Sequence, residues 1–73
     1  MSEIRYMISD AARQAGVEAH VLRSWEEELD IKVGRTELGH RYYTDKTIYI
    51  MKKVKELRDN GFQLKAIKVL IPE

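Results

Sequence analysis

The stretch SDAARQAGVEAHVLRSWEEE, residues 9–28, decides how this chain folds. Ser9 is a good N-cap, and Asp10 places a carboxylate in the first turn, where it complements the positive end of the helix dipole. Ile8, Ala11, Ala12 and Ala15 recur at helical spacing, with Arg13 and Gln14 turned outward. Gly16 stands where the helix must end in a left-handed residue, a conformation glycine takes without steric cost. A second helix is expected from about Ala19 to Leu29, with Glu18 at or near its N-cap. Val21, Leu22 and Trp25 form its apolar face, and His20, Arg23, Ser24 and Glu27 fall largely on the other. A short helix, a turn containing glycine and an amphipathic second helix make a helix-turn-helix over about residues 9–29. In such motifs the second helix enters the major groove of DNA.

Working outward, the 73 residues make one small domain, 1–73, near the lower size limit for a core without covalent staples. There is no cysteine, which excludes disulfides and thiolate zinc sites and is consistent with a reducing compartment. No apolar run approaches the ~18 residues a membrane span needs, and no signal-peptide pattern opens the chain. The expectation is a cytoplasmic protein with no membrane partner. A hydrophobic fraction of 44% with 34% charged residues argues against disorder. The net charge is only +1, but it is unevenly spread. Residues 35 to 58 carry seven basic side chains against three acidic ones, while Glu26, Glu27, Glu28 and Asp30 lie just before them. One side of the molecule is therefore expected to be basic and another acidic.

From Ile31 to Tyr43 the periodicity shifts from helical to two-residue. Ile31 and Val33 flank Lys32, and His40-Arg41-Tyr42-Tyr43 is rich in strand formers. Between them, Gly34 to Gly39 is polar with a glycine at each end. This predicts a β-hairpin over about residues 31–43, a wing on the helix-turn-helix, with Arg35 and Arg41 on or beside it. Thr44 caps the next helix, about residues 45–60, in which Ile48, Met51, Val54 and Leu57 recur every three residues. Asn60-Gly61 ends it. A last helix, about residues 64–71, shows Leu64, Ile67 and Leu70 or Ile71 on one face, and Pro72 closes it. The expected fold is mostly α, a winged helix-turn-helix of four helices with a two-stranded β-hairpin wing. Its core should include Ile8, Ala12, Val17, Val21, Leu22, Trp25, Tyr43, Ile48, Met51, Val54, Leu57, Phe62, Leu64 and Ile67. Tyr49 and Ile50 lie off the main apolar stripe.

Taken together, Tyr6-Met7-Ile8, Gly16-Val17, Leu22-Arg23-Ser24-Trp25-Glu26, Arg35, Gly39-His40-Arg41-Tyr42-Tyr43, Gly61-Phe62 and Leu64 resemble a known pattern. It is that of the N-terminal DNA-binding domain of the mercury-resistance regulator (MerR) family of bacterial transcription factors. The resemblance runs in order along nearly the whole chain. Three departures stand out. Ser24 replaces a second aromatic, Glu28-Leu29-Asp30-Ile31 lacks the usual glycine, and Gly34 stands near the place of a proline before the wing arginine. Family members continue into a coiled-coil dimerisation helix and an effector region. This chain stops at Glu73, so it is either an excised domain or a naturally short relative, and a monomer is expected.

The resemblance implies double-stranded DNA as the partner and assigns roles. Arg23, on the exposed helix face, takes a phosphate or guanine edge; the plain alternative is a surface arginine paired with Glu26 or Glu27. His20 stands at a groove-facing position, Glu18 and Ala19 open the same helix, and Ala19 can meet a thymine methyl. Ser24 occupies a phosphate-contacting position of the family. Arg41 resembles the wing arginine that grips the backbone, with Arg35 further along the wing. The family favours Tyr43 as core, which leaves Tyr42 for a phosphate. Arg13 and Lys46, near helix N-terminal halves, are further backbone contacts. Catalysis, cofactors and metals have little support. His20 and His40 lack partner ligands, the three contiguous glutamates diverge around a helix, and no phosphate loop or nucleophile motif appears. Two other functions fit the same fold: a short excisionase-like architectural factor that bends DNA, and a protein-binding adaptor.

Overall fold

The computed structural model describes residues 4–71. Four helices and one two-stranded antiparallel hairpin appear among them, the winged helix-turn-helix the sequence implies. Helix α1 (Ile8–Ala15) ends at Gly16, left-handed at φ 78°, whose amide bonds back to the Ala12 and Arg13 carbonyls. Helix α2 (Ala19–Glu28) follows after Glu18, which is extended and makes no side-chain cap. The wing pairs β1 (Gly34–Arg35) with β2 (Arg41–Tyr42), placing Gly34 opposite Tyr42 and Arg35 opposite Arg41. Helix α3 (Asp45–Asp59) starts with a reciprocal cap between Thr44 and Thr47, each hydroxyl accepting from the other's backbone amide. After Asn60 and a left-handed Gly61 (φ 91°), the chain returns as α4 (Leu64–Leu70).

Helix α1 packs on α2 and α3, and α4 packs on α3. Three alanines of α1 (Ala11, Ala12, Ala15) let it approach closely, and Leu22, Trp25, Tyr43, Met51, Val54 and Ile67 fill the centre. Small residues on α1 thus face large ones across the core.

Several expectations are corrected. Ser9 is not the N-cap. Met7 is, without a side-chain cap, and Ser9 lies inside the first turn. The reason is a backbone bridge, in which the Tyr6 amide donates to the Tyr43 carbonyl at 2.7 Å and Tyr43 returns the bond at 2.7 Å. It holds Tyr6 extended, and the helix begins immediately after. The strands are also shorter than the 31–43 alternation implied, because Ile31 turns into the core instead of pairing and Val33 stays outside the ladder. Phe62 is 43% exposed rather than core. Gly61 carries it past the end of α3, and Leu64 and Ile67 re-enter in its place. Ile8, Val17, Val21, Leu57 and Leu64 are partly buried against the core, while Leu29 and Ile31 join it outright. Tyr49 is exposed, but Ile50 packs partly against the core. Pro72 lies outside the described residues.

Helix α2 ends in a way the sequence obscured. Asp30 has φ 55°, the only left-handed residue other than glycine among those described, and the Ile31 amide reaches back to the Glu26 carbonyl at 3.0 Å. This turn drives Leu29 and Ile31 into the core. A side chain in that conformation carries steric cost that glycine escapes. Asp30→Gly is therefore expected to raise stability by about 0.5–1 kcal/mol. Urea denaturation reads the change, and a lowered midpoint would contradict the strain.

Candidate nucleic-acid interface

The exposed face of α2 presents His20, Arg23 and Ser24, with the exposed Glu18 at its start and a half-buried Ala19 beside it. His20, Arg23 and Ser24 form one surface because Val21, Leu22 and Trp25 turn the opposite face inward, with Ala19 packed in part against the core. The wing stands next to it. Residues paired directly across an antiparallel ladder point to the same side. Arg35 and Arg41 therefore share one face of the hairpin, and Gly34 and Tyr42 share the other.

The arginine face closes on α2. Arg23, Arg35 and Arg41 line a shallow depression of about 270 Å³, together with His40, Gly39, Met7 and Ile8. Arg41 is held there by Glu26, to which its Nε donates at 2.7 Å; the two side chains are only 25% and 13% exposed. A charge-assisted bond this short and sheltered is among the stronger polar contacts of a small domain. The expected competitor for Glu26 was Arg23. Among the described residues Glu26 pairs with Arg41, and Arg23 is in no ion pair. Glu26 is thus the residue sequence reasoning missed as part of the site. Inside a run of three glutamates nothing marked it out, save that it follows Trp25 and so sits at the edge of the buried face.

The wing tip is preset by its own hydrogen bonds. Gly39 donates to the Thr36 carbonyl at 2.9 Å, Thr36 donates to the His40 carbonyl at 2.9 Å, and Arg35 Nη1 donates to the Gly39 carbonyl at 3.2 Å. Gly39 is left-handed at φ 85°, which fixes a turn that the sequence did not announce with an Asn-Gly or Asp-Gly pair.

On the opposite wing face, Arg5 stacks over the Tyr42 ring at 4.3 Å. A β-carbon at Gly34 would fall on that ring, so glycine is what lets Tyr42 lie flat across the strand. Lys46, in the first turn of α3, is exposed on this side and lines a groove with Gly34 and Tyr42 rather than the arginine depression. Arg13 is exposed on α1, where its Nη1 lies 3.5 Å from Asp10. The structure therefore brings together Arg23, Arg35 and Arg41, adds His40, and leaves Tyr42, Lys46 and Arg13 outside the depression.

Tyr43, fully buried, lies close enough to the cluster to feel its charges. Burial pushes its phenol up from the ordinary value and Glu26 adds to this, while Arg41, Arg23 and Arg35 oppose it. Its hydroxyl has no hydrogen-bond partner among the described residues. A buried hydroxyl without a partner costs stability. Tyr43→Phe is thus expected to leave stability unchanged or raise it, by up to about 1 kcal/mol. Because the folded-state pKa lies above the unfolded one, Tyr43 contributes stability that is full below about pH 10 and lost as pH rises through the folded value. The alkaline fall in melting temperature should be shallower in Tyr43→Phe. A variant clearly less stable at neutral pH would show that the hydroxyl is bonded.

Three comparisons agree on kinship. The family model described as "MerR HTH family regulatory protein" matches residues 6–73. The chain is similar to the HTH-type transcriptional repressor CarH of Myxococcus xanthus, 35% identical over all of this chain and 25% of the repressor. It is also similar to the chromosome-anchoring protein RacA of Bacillus licheniformis, 35% identical over 89% of this chain and 35% of RacA. Among solved structures it resembles HiNmlR, a MerR family regulator lacking the sensor domain and bound to promoter DNA. There the TM-score is 0.84 at 35% identity, covering 92% of this chain and 52% of that one. The chain spans between about a quarter and half of the length of these relatives. From Tyr6 to Glu73, through helix-turn-helix, wing and returning helices alike, the chain belongs to the MerR HTH family of regulatory proteins.

Proposed function

We propose that this domain binds double-stranded DNA as the DNA-reading module of a bacterial transcription regulator, with α2 in the major groove and the wing along the adjacent backbone. One observation carries the proposal: three arginines from two separate elements, Arg23, Arg35 and Arg41, converge on one depression beside the exposed face of α2. Arginine forks suit phosphate oxygens, and clustered cations on one face give the electrostatic footprint of a nucleic-acid binder despite a net charge of +1. The likeness to a regulator bound to promoter DNA supports the same partner. In this assignment Arg23, Arg35 and Arg41 hold phosphates, and His20 with Ala19 and Glu18 faces the bases. Ser24 takes the neighbouring phosphate, and Arg13, Tyr42 and Lys46 touch the backbone only at its margins. The module works as a monomer on its own, binds without a cofactor and acts in the cytoplasm on the nucleoid. None of the described helices is long and apolar enough to cross a membrane. Likeness to a chromosome-anchoring protein favours a second role for the same contacts, holding or shaping DNA rather than regulating a promoter.

A fluorescence-anisotropy titration on selected duplexes at two salt concentrations tests the contacts. Each phosphate held by an arginine releases condensed counterions, so affinity falls with salt. Arg35→Ala should weaken binding on all duplexes and make the salt slope shallower by about one unit. His20→Ala should instead cut discrimination between selected and scrambled duplex by about 1–3 kcal/mol. Wild-type affinity no better than that of an acidic control domain would sink the DNA assignment.

Glu26→Ala separates geometry from charge. Removing an acid beside a phosphate site should tighten DNA binding if bulk charge rules. Because Glu26 holds Arg41 at 2.7 Å, the expected outcome is the reverse, a several-fold loss of affinity with the fold retained. Tighter binding by Glu26→Ala would show that the ion pair does not position the wing.

A further inference from the structure

The wing has a second face, and behind it lies a broader concavity than the arginine depression. A groove of about 630 Å³ runs between the end of α2, the strand-like segment 31–33, the start of α3 and the end of α4. Its aliphatic lining is Leu29, Ile31, Val33, Ile50 and Ile71. Three exposed lysines, Lys32, Lys46 and Lys68, stand on its rim, against a single acid, Asp30. The groove shares no lining residue with the arginine depression. The ladder explains why, since Gly34 and Tyr42 face the groove while their neighbours Arg35 and Arg41 face the depression.

We infer that this groove docks an acidic amphipathic peptide segment of a partner protein, one or two of its aliphatic side chains on the floor and its carboxylates on the three lysines. The rim's excess positive charge over an apolar floor selects such a ligand. Nucleic acid fits poorly. The three lysines alone would suit phosphates too, but a phosphodiester backbone leaves the aliphatic floor uncovered, and the one aromatic ring there, Tyr42, is already stacked under Arg5. A second copy of this chain fits poorly too. The acidic run from Glu26 to Asp30 has buried its one apolar side chain, Leu29, and the exposed Val69 and Leu70 sit beside Lys68, a like charge to the rim. Because the arginine depression and the groove lie on opposite faces of the wing and meet only at the marginal backbone contacts of Tyr42 and Lys46, peptide and DNA are expected to bind together, and the site stands whether or not the DNA assignment does.

The test uses a fluorescein-labelled twelve-residue peptide, Leu-Glu-Glu-Leu-Leu-Asp-Glu-Leu-Leu-Glu-Asp-Leu, with a control in which every acid is lysine. Wild-type protein should bind the acidic peptide and not the basic one. Lys32→Glu/Lys68→Glu, both surface positions, should weaken it at least ten-fold with an unchanged circular dichroism spectrum. Arg23→Ala should leave peptide affinity within two-fold, which separates this groove from the arginine site. On titration, NMR shifts should concentrate on the methyl groups of Ile31, Val33, Ile50 and Ile71. No binding at millimolar peptide, equal binding by the charge-reversed variant, or shifts at Arg23 and Arg41 would overturn the inference. So would groove methyls that answer to duplex DNA instead of peptide.

Discussion

A hairpin of two residue pairs has no stability of its own, and the ion pair between Glu26 and Arg41 gives this one its place. Glu26 sits on α2 and Arg41 on β2, so the 2.7 Å bond ties the wing to the helix proposed to read DNA. Two further ties act from below. Tyr43 is fully buried directly after the strand, and its backbone exchanges both hydrogen bonds with Tyr6. The wing therefore borrows its orientation from three elements. What it presents on its arginine face, Arg35 beside Arg41, is only as well placed as those ties.

The fold was legible where local chemistry and the apolar period agreed. Gly16 after a small-residue helix, Thr44 before a long amphipathic one and Asn60-Gly61 at its end each have a physical reason that needs no tertiary context. Each stands where the structure bends or starts a helix. Legibility failed where tertiary contact overrode a local signal. Ser9 is a better cap than Met7 by propensity, yet the Tyr6–Tyr43 bridge starts the helix earlier. Ile31 alternates like a strand residue, yet the left-handed Asp30 points it into the core. Phe62 is the most apolar residue of its turn, yet the turn itself swings it out.

The candidate site divides the same way. Single arginines at exposed positions could be picked out, since their face follows from Leu22 and Trp25. Their pairing could not. Which of three adjacent glutamates meets which arginine depends on where the wing lies, and no periodicity records the distance between a helix and a hairpin. The same holds for the two-sided wing. Sequence shows four consecutive residues, His40 to Tyr43, whereas the ladder sends Arg41 toward one site and Tyr42 toward another.

Charge placement, rather than charge total, then sets what the domain can do. With +1 overall, long-range attraction to any polyanion is weak, so indiscriminate binding gains little. Three arginines in one depression restore local attraction only where the backbone follows the contour of α2 and wing. Holding about three phosphates gives a salt slope near −2.7, which is modest beside regulators that clasp DNA with two copies. On the proposed contacts a single domain therefore binds DNA weakly. Joining two copies through any further segment would make the second contact intramolecular and multiply affinity by about 10²–10⁴ without a new arginine. In such a pair the low net charge would keep each half weak alone, and correct spacing of the two halves would become the source of tight binding.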